Sequence, residues 1–360
     1  MSSDKSKYKQ IWYSLKTAID SGTYGPGMRL PSEFELVKTY GASRVTITRA
    51  LKELQVGGYV DRRAGSGTYV KAASTNHRTF GLLIPELGQT EIFEPICQGM
   101  AETQRDQNHL LVWGRSLAGT EKTVADAKQA CVRFIANGVS GVFFAPIEGT
   151  PLKNEINQAV ASIMGEARIP IVLLDRDIVE YPERSSFDVV GIDNRRAGYV
   201  ATRHLIEAGC RRIAFLAGQH LAPSCIARRA GYSDAIAHVK VPLGPEFVQC
   251  LDPSDKQAVA EAVERYNPDG IVCPNDRTAV LLMRTLFDLN IAIPKQVRIV
   301  GFDDVKYASL VAVPLTTIRQ PCYQLGAAAI QTMLQRIAAP EMPARDILVD
   351  FRLVVRESSR

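Results

Sequence analysis

The sequence predicts two domains of different class: a small helical head closed by a two-stranded ribbon, and a larger α/β body of two doubly wound parallel sheets. Three observations predict this. Residues 1–71 hold twelve Lys/Arg against six Asp/Glu, whereas the remainder holds 31 against 32, so a basic head precedes a near-neutral body. The head shows helix-period apolar spacing in three stretches, then a glycine-rich hairpin. From Phe80 onward short β-like runs alternate with helical patterns, as in parallel sheets covered on both faces. At 360 residues the chain is too long for one core.

Within the head, Tyr8, Ile11, Trp12, Leu15 and Ile19 form a helical stripe. Gly22, Gly25, Pro26 and Gly27 break it. Ser32 and Glu35 then have the spacing of a capping box opening a short second helix that ends near Tyr40-Gly41. The next helix starts after Ser43, a natural N-cap. Its apolar stripe is Ile47, Ala50, Leu51 and Leu54, and its opposite arc carries Val45, Thr48, Arg49 and Lys52, with Arg44 at the start. Helix, short turn, helix is a DNA-binding motif. Cations, hydroxyls and a small apolar group on one face suit phosphates, base edges and thymine methyls in a major groove. Alone, that face would also suit a solvated surface helix; the flanking sequence favours DNA. Arg49 is read as a phosphate contact or as an ion pair with Glu53. Tyr59–Arg63 and Thr68–Val70 are strands joined by Ala64-Gly65-Ser66-Gly67, with Arg62 and Arg63 beside the tip. A ribbon beside a helix-turn-helix makes a winged helix.

Residues 72–79 lack periodicity and read as a linker. In the body, strands are predicted at 81–84, 110–113, 141–145, 171–174, 189–192, 213–216, 270–273 and 298–302. Helices are predicted at 94–107, 120–137, 152–165, 195–208, 228–239, 254–266 and 278–289. The pattern restarts near 188–192, which predicts two lobes with a cleft between them and a return crossing within 318–345. Ligands in such folds sit at the carboxyl ends of strands. Asp175, Asn275, Asp276, Asp303 and Asp304 fall at such ends, and Arg228 opens a helix. Carboxylate, amide and guanidinium groups suit a polyhydroxylated ligand, and Phe93 could cover an apolar sugar face. Each acid or amide is equally a helix cap by itself; Asp276 and Asp304 are assigned as caps.

Leu30-Pro31-Ser32-Glu33, Ser43-Arg44-Val45-Thr46, Ala50-Leu51-x-x-Leu54 and Gly65-x-Gly67-Thr68 resemble the winged-helix head of the gluconate-repressor (GntR) family. The resemblance implies DNA contacts by Arg44, Val45, Thr46, Thr48 and the wing-tip Gly65. Together with Ser43, Arg49, Lys52, Arg62 and Arg63 these form the expected DNA-binding set. The family often has Arg where this chain has Phe34, and often at Thr48. The body motifs Arg228-x-Ala230-Gly231-Tyr232, Asn275-Asp276, Val300-Gly301-Phe302-Asp303-Asp304 and Pro314-Leu315-Thr316-Thr317-Ile318-Arg319-Gln320 resemble the lactose/galactose-repressor family, which shares the periplasmic-binding-protein fold. That resemblance implies Asp175, Arg228, Asn275, Asp303 and Gln320 as effector-pocket residues. A family aromatic two residues after the Gln is Cys322 here. Such a head on such a body is the arrangement of the arabinose-repressor group.

No G-x-G-x-x-G follows the first body strand, and GK[ST], H-E-x-x-H and G-x-S-x-G are missing, so no enzyme and no cofactor is expected. Seven scattered cysteines, without C-x-x-C or metal-ligand spacing, fit a reducing cytoplasm and no metal. No apolar run approaches membrane-spanning length and the N-terminus has no apolar leader, so no membrane partner is expected. The expectation is a ligand-responsive repressor that binds operator DNA as a homodimer and a sugar or sugar-like effector in its cleft. A sugar-binding receptor without regulatory role is the alternative. Arg44→Ala should weaken operator binding, whereas Arg228→Ala should abolish the effector response yet leave DNA binding.

Overall fold

The structure is a computed structural model. It describes residues 3–20, 22–56, 59–63, 66–70, 78–84, 92–103, 109–114, 123–148, 150–217, 222–238 and 244–360. The chain divides into two units, Met1–His77 and Arg78–Arg360.

In the first unit, α1 (Ser3–Asp20), α2 (Glu33–Tyr40) and α3 (Arg44–Val56) precede the antiparallel pair β1 (Val60–Arg63) and β2 (Gly67–Val70). The stripe Ile47, Ala50, Leu51 and Leu54 is buried against Ile11, Leu15 and Leu36, so the amphipathic pattern is what packs α3. The capping box forms: the Glu35 amide donates to Ser32 Oγ at 3.3 Å, and the Ser32 amide donates to the Glu35 carboxylate at 2.8 Å. The bonds donated by the Ser32 amide and hydroxyl hold the Glu35 carboxyl below its ordinary range. Gly41 ends α2 at φ +56°, a conformation that favours glycine. One feature was not expected: residues 27–30 run along β2, with Leu30 donating to the Thr68 carbonyl at 2.8 Å and Val70 to that of Met28 at 2.8 Å. Gly57, Gly58, Ala64 and Gly65 lie outside the described residues.

The second unit holds two six-stranded sheets. The first contains β3 (Arg78–Leu83), β4 (His109–Trp113), β5 (Gly141–Phe144), β6 (Ile171–Leu174), β7 (Asp188–Gly191) and β13 (Asp346–Leu348), ordered β13-β7-β6-β5-β3-β4. The second contains β8 (Ile213–Ala217), β9 (Val248–Cys250), β10 (Gly270–Val272), β11 (Arg298–Asp303), β12 (Thr316–Arg319) and β14 (Arg352–Val354), ordered β14-β12-β11-β10-β8-β9. Every pairing is parallel except β12 with β14.

Two boundaries differ from expectation. Arg78 and Thr79, read as linker, already pair with His109 and Leu110. The restart near 188–192 is not the start of the second lobe: β7 pairs with β6 and β13 in the first sheet. The chain crosses between lobes three times, after β7, after β12 and after β13. The third crossing was missed because β13 and β14 are three residues each and only partly buried, too short to stand out as strands.

Helices cover the sheets. α4 (Phe93–Thr103), α5 (Val124–Ala136), α6 (Lys153–Glu166) and α11 (Cys322–Ala338) belong to the first lobe; α7 (Asn194–Glu207), α8 (Pro223–His238), α9 (Lys256–Tyr266) and α10 (Asp276–Asp288) belong to the second. Each lobe contains one helix pair in close approach, α4 with α11 and α7 with α8. A Cβ on Gly99 or Gly326, or on Gly198 or Gly231, would collide with backbone of the facing helix, so only glycine permits these approaches. Asp188 stitches the return crossing. Its buried carboxylate accepts from Arg336 Nε at 3.0 Å and from the Arg345 amide at 2.9 Å. Burial opposes its charge, but the two guanidinium groups outweigh it and hold the carboxyl below its ordinary range.

Candidate nucleic-acid interface and candidate effector cleft

On α3, Ser43, Arg44, Val45, Arg49 and Lys52 are exposed and Thr48 is half-buried. Helical periodicity puts them on the side opposite the buried stripe. Thr46 is corrected: it is buried, its hydroxyl lies 2.7 Å from that of Ser43, and its amide donates to Ser43 Oγ at 3.2 Å. Its side chain completes the helix start and does not belong to the outward face. Among the described residues Arg49 forms no ion pair with Glu53; its guanidinium lies 4.1 Å from the Tyr8 ring centroid. Glu33, first residue of α2, pairs with Arg44 at 3.2 Å and also with Arg62 of β1. It thereby ties the start of α3 to the ribbon. Arg63 is exposed, 3.4 Å from Asp61 and over the Tyr69 ring. Gly65 lies outside the described residues.

In the second unit, Asp175, Arg228, Asp303 and Gln320 converge, brought there by β6, α8, β11 and the crossing after β12. Arg228 is buried and its donors are engaged: Nε donates to Asn194 Oδ1 at 2.9 Å and one terminal nitrogen to the Pro274 carbonyl at 2.6 Å. The other terminal nitrogen lies 3.7 Å from Asp303, and the guanidinium stacks 4.7 Å from the Phe302 centroid. Burial opposes this charge, yet the surrounding Asp303, Asp175 and Asp276 raise its affinity for the proton. Gln320 Nε2 donates to Asp303 at 2.7 Å, and Asp303 sits at φ +112°, a strained backbone for a non-glycine residue.

Asp175, at φ 69°, pairs with Arg176 at 2.7 Å and accepts from Ser224 Oγ at 3.2 Å. The second bond spans the cleft, from the first lobe to α8 of the second. The other Asp175 oxygen is buried without a hydrogen-bond partner among the described residues, as is one Glu148 oxygen. Glu148 lies 3.6 Å from Arg176 and 3.9 Å from Lys153. Burial raises its carboxyl pKa more than these cations lower it. Asp303 and Gln320 also line a cavity of about 770 Å³, with Ile92, Tyr307, Cys322 and Tyr323. The buried acceptors of Asp175 and Glu148, lacking donors among the described residues, suit a ligand that brings hydroxyl hydrogens.

Several expectations are corrected here. Phe93 is 1% exposed and packs in the core with Ile96 and Met100, so it cannot cover a ligand; its i, i+3, i+7 spacing already carried that signal. Asn275 caps α10, accepting from the Thr278 amide at 2.8 Å, so a ligand would meet its amide N–H groups. Asp276 is no cap. It is buried, accepts from Thr317 Oγ1 at 2.6 Å and from the Val305 amide at 3.1 Å, and burial with Asp303 nearby pushes its carboxyl far up. Asp304 is no cap either; it pairs with Arg319 and, at 2.6 Å, with Arg356. Glu148, Arg176, Asn194 and Ser224 escaped the sequence reading. Arg176 and Asn194, each two residues past a predicted strand, carried a positional hint.

Comparison with known proteins agrees with this division. Residues 7–70 match the family of bacterial regulatory proteins, gntR family, and residues 202–359 match the periplasmic binding protein-like domain. The chain is 28% identical to the arabinose metabolism transcriptional repressor of Geobacillus stearothermophilus over 98% of each chain. Among solved structures it resembles transcription regulator GntR from Chromobacterium violaceum, at 25% identity and TM-score 0.63, covering 78% of this chain and 99% of that one. It also resembles transcription regulator CcpA of Lactococcus lactis, at 20% identity and TM-score 0.66, covering 79% and 99%; that likeness carries the fold alone. The chain therefore joins a winged-helix head that matches the gntR regulatory family over residues 7–70 to a body of two parallel-sheet lobes that matches the periplasmic binding protein-like domain over residues 202–359.

Proposed function

We propose that the chain is a ligand-responsive transcription regulator acting as a repressor in the cytoplasm. As a homodimer it grips operator DNA through the head and senses a sugar or sugar-like effector in the cleft. The observation that carries this reading is the exposed cationic face of α3, with Arg44, Arg49 and Lys52, in the same chain as a two-lobed body whose Asp303 and Gln320 line a cavity and whose Asp175 keeps a buried oxygen without a hydrogen-bond partner among the described residues. The full-length similarity to an arabinose metabolism repressor supports it.

In this reading Arg44, Val45, Thr48 and the wing arginines Arg62 and Arg63 meet bases and phosphates, and a two-fold dimer reads a symmetric operator. Hydroxyls of the effector bond to Asp175, which already receives Ser224 from the facing lobe, so the ligand biases how the lobes close. A hundredfold change in DNA affinity needs a coupling of only about 2.7 kcal/mol. The test is an anisotropy titration of the full chain against duplexes from upstream of its gene, with and without pentoses and hexoses. Tight, sequence-dependent binding that one sugar weakens supports the proposal. Binding indifferent to sequence, or indifferent to every sugar, sinks it.

A further inference from the structure

Phe34 and Val45 are the most exposed large apolar side chains among the described residues of the head, at 67% and 79%. Both stand second in their helices, Phe34 in α2 and Val45 in α3. Glu33 brings these helix starts together, since its carboxylate pairs with Arg44 of α3 and Arg62 of the ribbon. Phe34 is thus next to the junction of the two elements assigned to DNA. The ring is also positioned: Lys38 Nζ lies 4.6 Å from its centroid, one turn along α2.

Two large apolar groups amid Arg44, Lys38 and Lys52 are poorly matched to water and to phosphate. In a duplex major groove, the thymine C5-methyl group is the feature that rewards apolar contact. We propose that Phe34, beside Val45, is a specificity-determining residue that reads a thymine methyl in each operator half-site. The surrounding cations match the polyanion, and the apolar pair selects the base. This rests on the regulator reading above.

The experiment uses the full chain to enrich binding sequences from a random duplex pool. The enriched duplex is then remade with uracil replacing thymine at one position at a time, which deletes only the methyl. At one position per half-site, uracil should lower wild-type affinity by about fourfold, the value of one buried methyl-sized group. Phe34→Ala should bind the thymine and uracil duplexes equally, and Phe34→Leu should retain part of the preference. The proposal is overturned if no uracil replacement matters to the wild type, or if Phe34→Ala keeps the full thymine preference. A pool that never enriches would overturn the regulator reading itself, and this inference with it. Phe34 is exposed and outside the core cluster of the head, so its variants leave that core in place.

Discussion

Arg44 and Arg228 carry the same group in opposite settings. The Arg44 side chain is 82% exposed and shares Glu33 with Arg62. The Arg228 side chain is 4% exposed and is bonded to Asn194 and Pro274 beside Asp303. The first pair is worth little in water and can be exchanged for phosphate or base at small cost. The second cannot be removed without stranding carboxylates in a low-dielectric interior. One surface is therefore built to trade partners, and the other to keep them.

The largest expected effect breaks the comparison at its buried end. Arg228→Ala should destabilise the second lobe by about 3–5 kcal/mol, as loss of one partner of a buried ion pair does. This revises the expectation that Arg228→Ala leaves DNA binding untouched while silencing the effector. Urea unfolding of the full chain checks it; an unchanged midpoint would mean that Asp303 and Asp175 find other partners.

At the exposed end, Arg44→Ala should weaken operator binding by about 1–3 kcal/mol and relax specificity at one base position. Its unfolding midpoint should match the wild type, because the Glu33 pair is solvated. Equal loss of stability and of DNA affinity would show that Arg44 is structural.

Asp175→Asn sharpens the contrast inside the cleft. The change keeps shape and removes the charge that Arg176 and Ser224 address. Effector affinity should fall about tenfold, the value of a hydrogen bond to a charged group. Calorimetric titration measures it, and wild-type affinity in the variant would remove Asp175 from the site.

Smaller effects follow from pH. The Asp188 carboxyl is held below its ordinary range in the fold. The unfolded chain therefore binds its proton first. The stability it contributes is complete above the unfolded value of about 3.9 and is lost as pH falls through the depressed folded value. Asp188→Asn should flatten that acid limb in urea midpoints measured from pH 3 to 7. His204 is also lowered, by burial, and its Nε2 lies 2.7 Å from Ser359 Oγ. The unfolded imidazole protonates first, so stability declines below about pH 6.5 towards the folded value. His204→Gln should remove that shallower slope.

Much of the fold was legible because burial and periodicity coincide. The α3 stripe, the Ser32–Glu35 box and strand Ile171–Leu174 are local patterns, and tertiary packing confirmed them. The cleft was legible at Asp175, Asp303 and Gln320, which follow predicted strands or motifs. Phe93 failed although Ile96 and Met100 follow it at i+3 and i+7 on the same buried face, a local signal that its position near the cleft overrode. Thr46, which only the family resemblance had added to the outward face, failed because the start of α3 buries it and engages its hydroxyl with Ser43.

By itself the sequence determined the basic head, the alternation of strand and helix, and the positions where polar groups leave strands. These depend on side chains within a few residues of one another. Only the tertiary structure decided that β7 closes the first sheet, that Arg228 is locked by Asn194 and Pro274, and that Ser224 reaches Asp175 across the lobes. Each joins residues at least sixteen positions apart, and one-dimensional spacing carries no information about which distant groups share an interior.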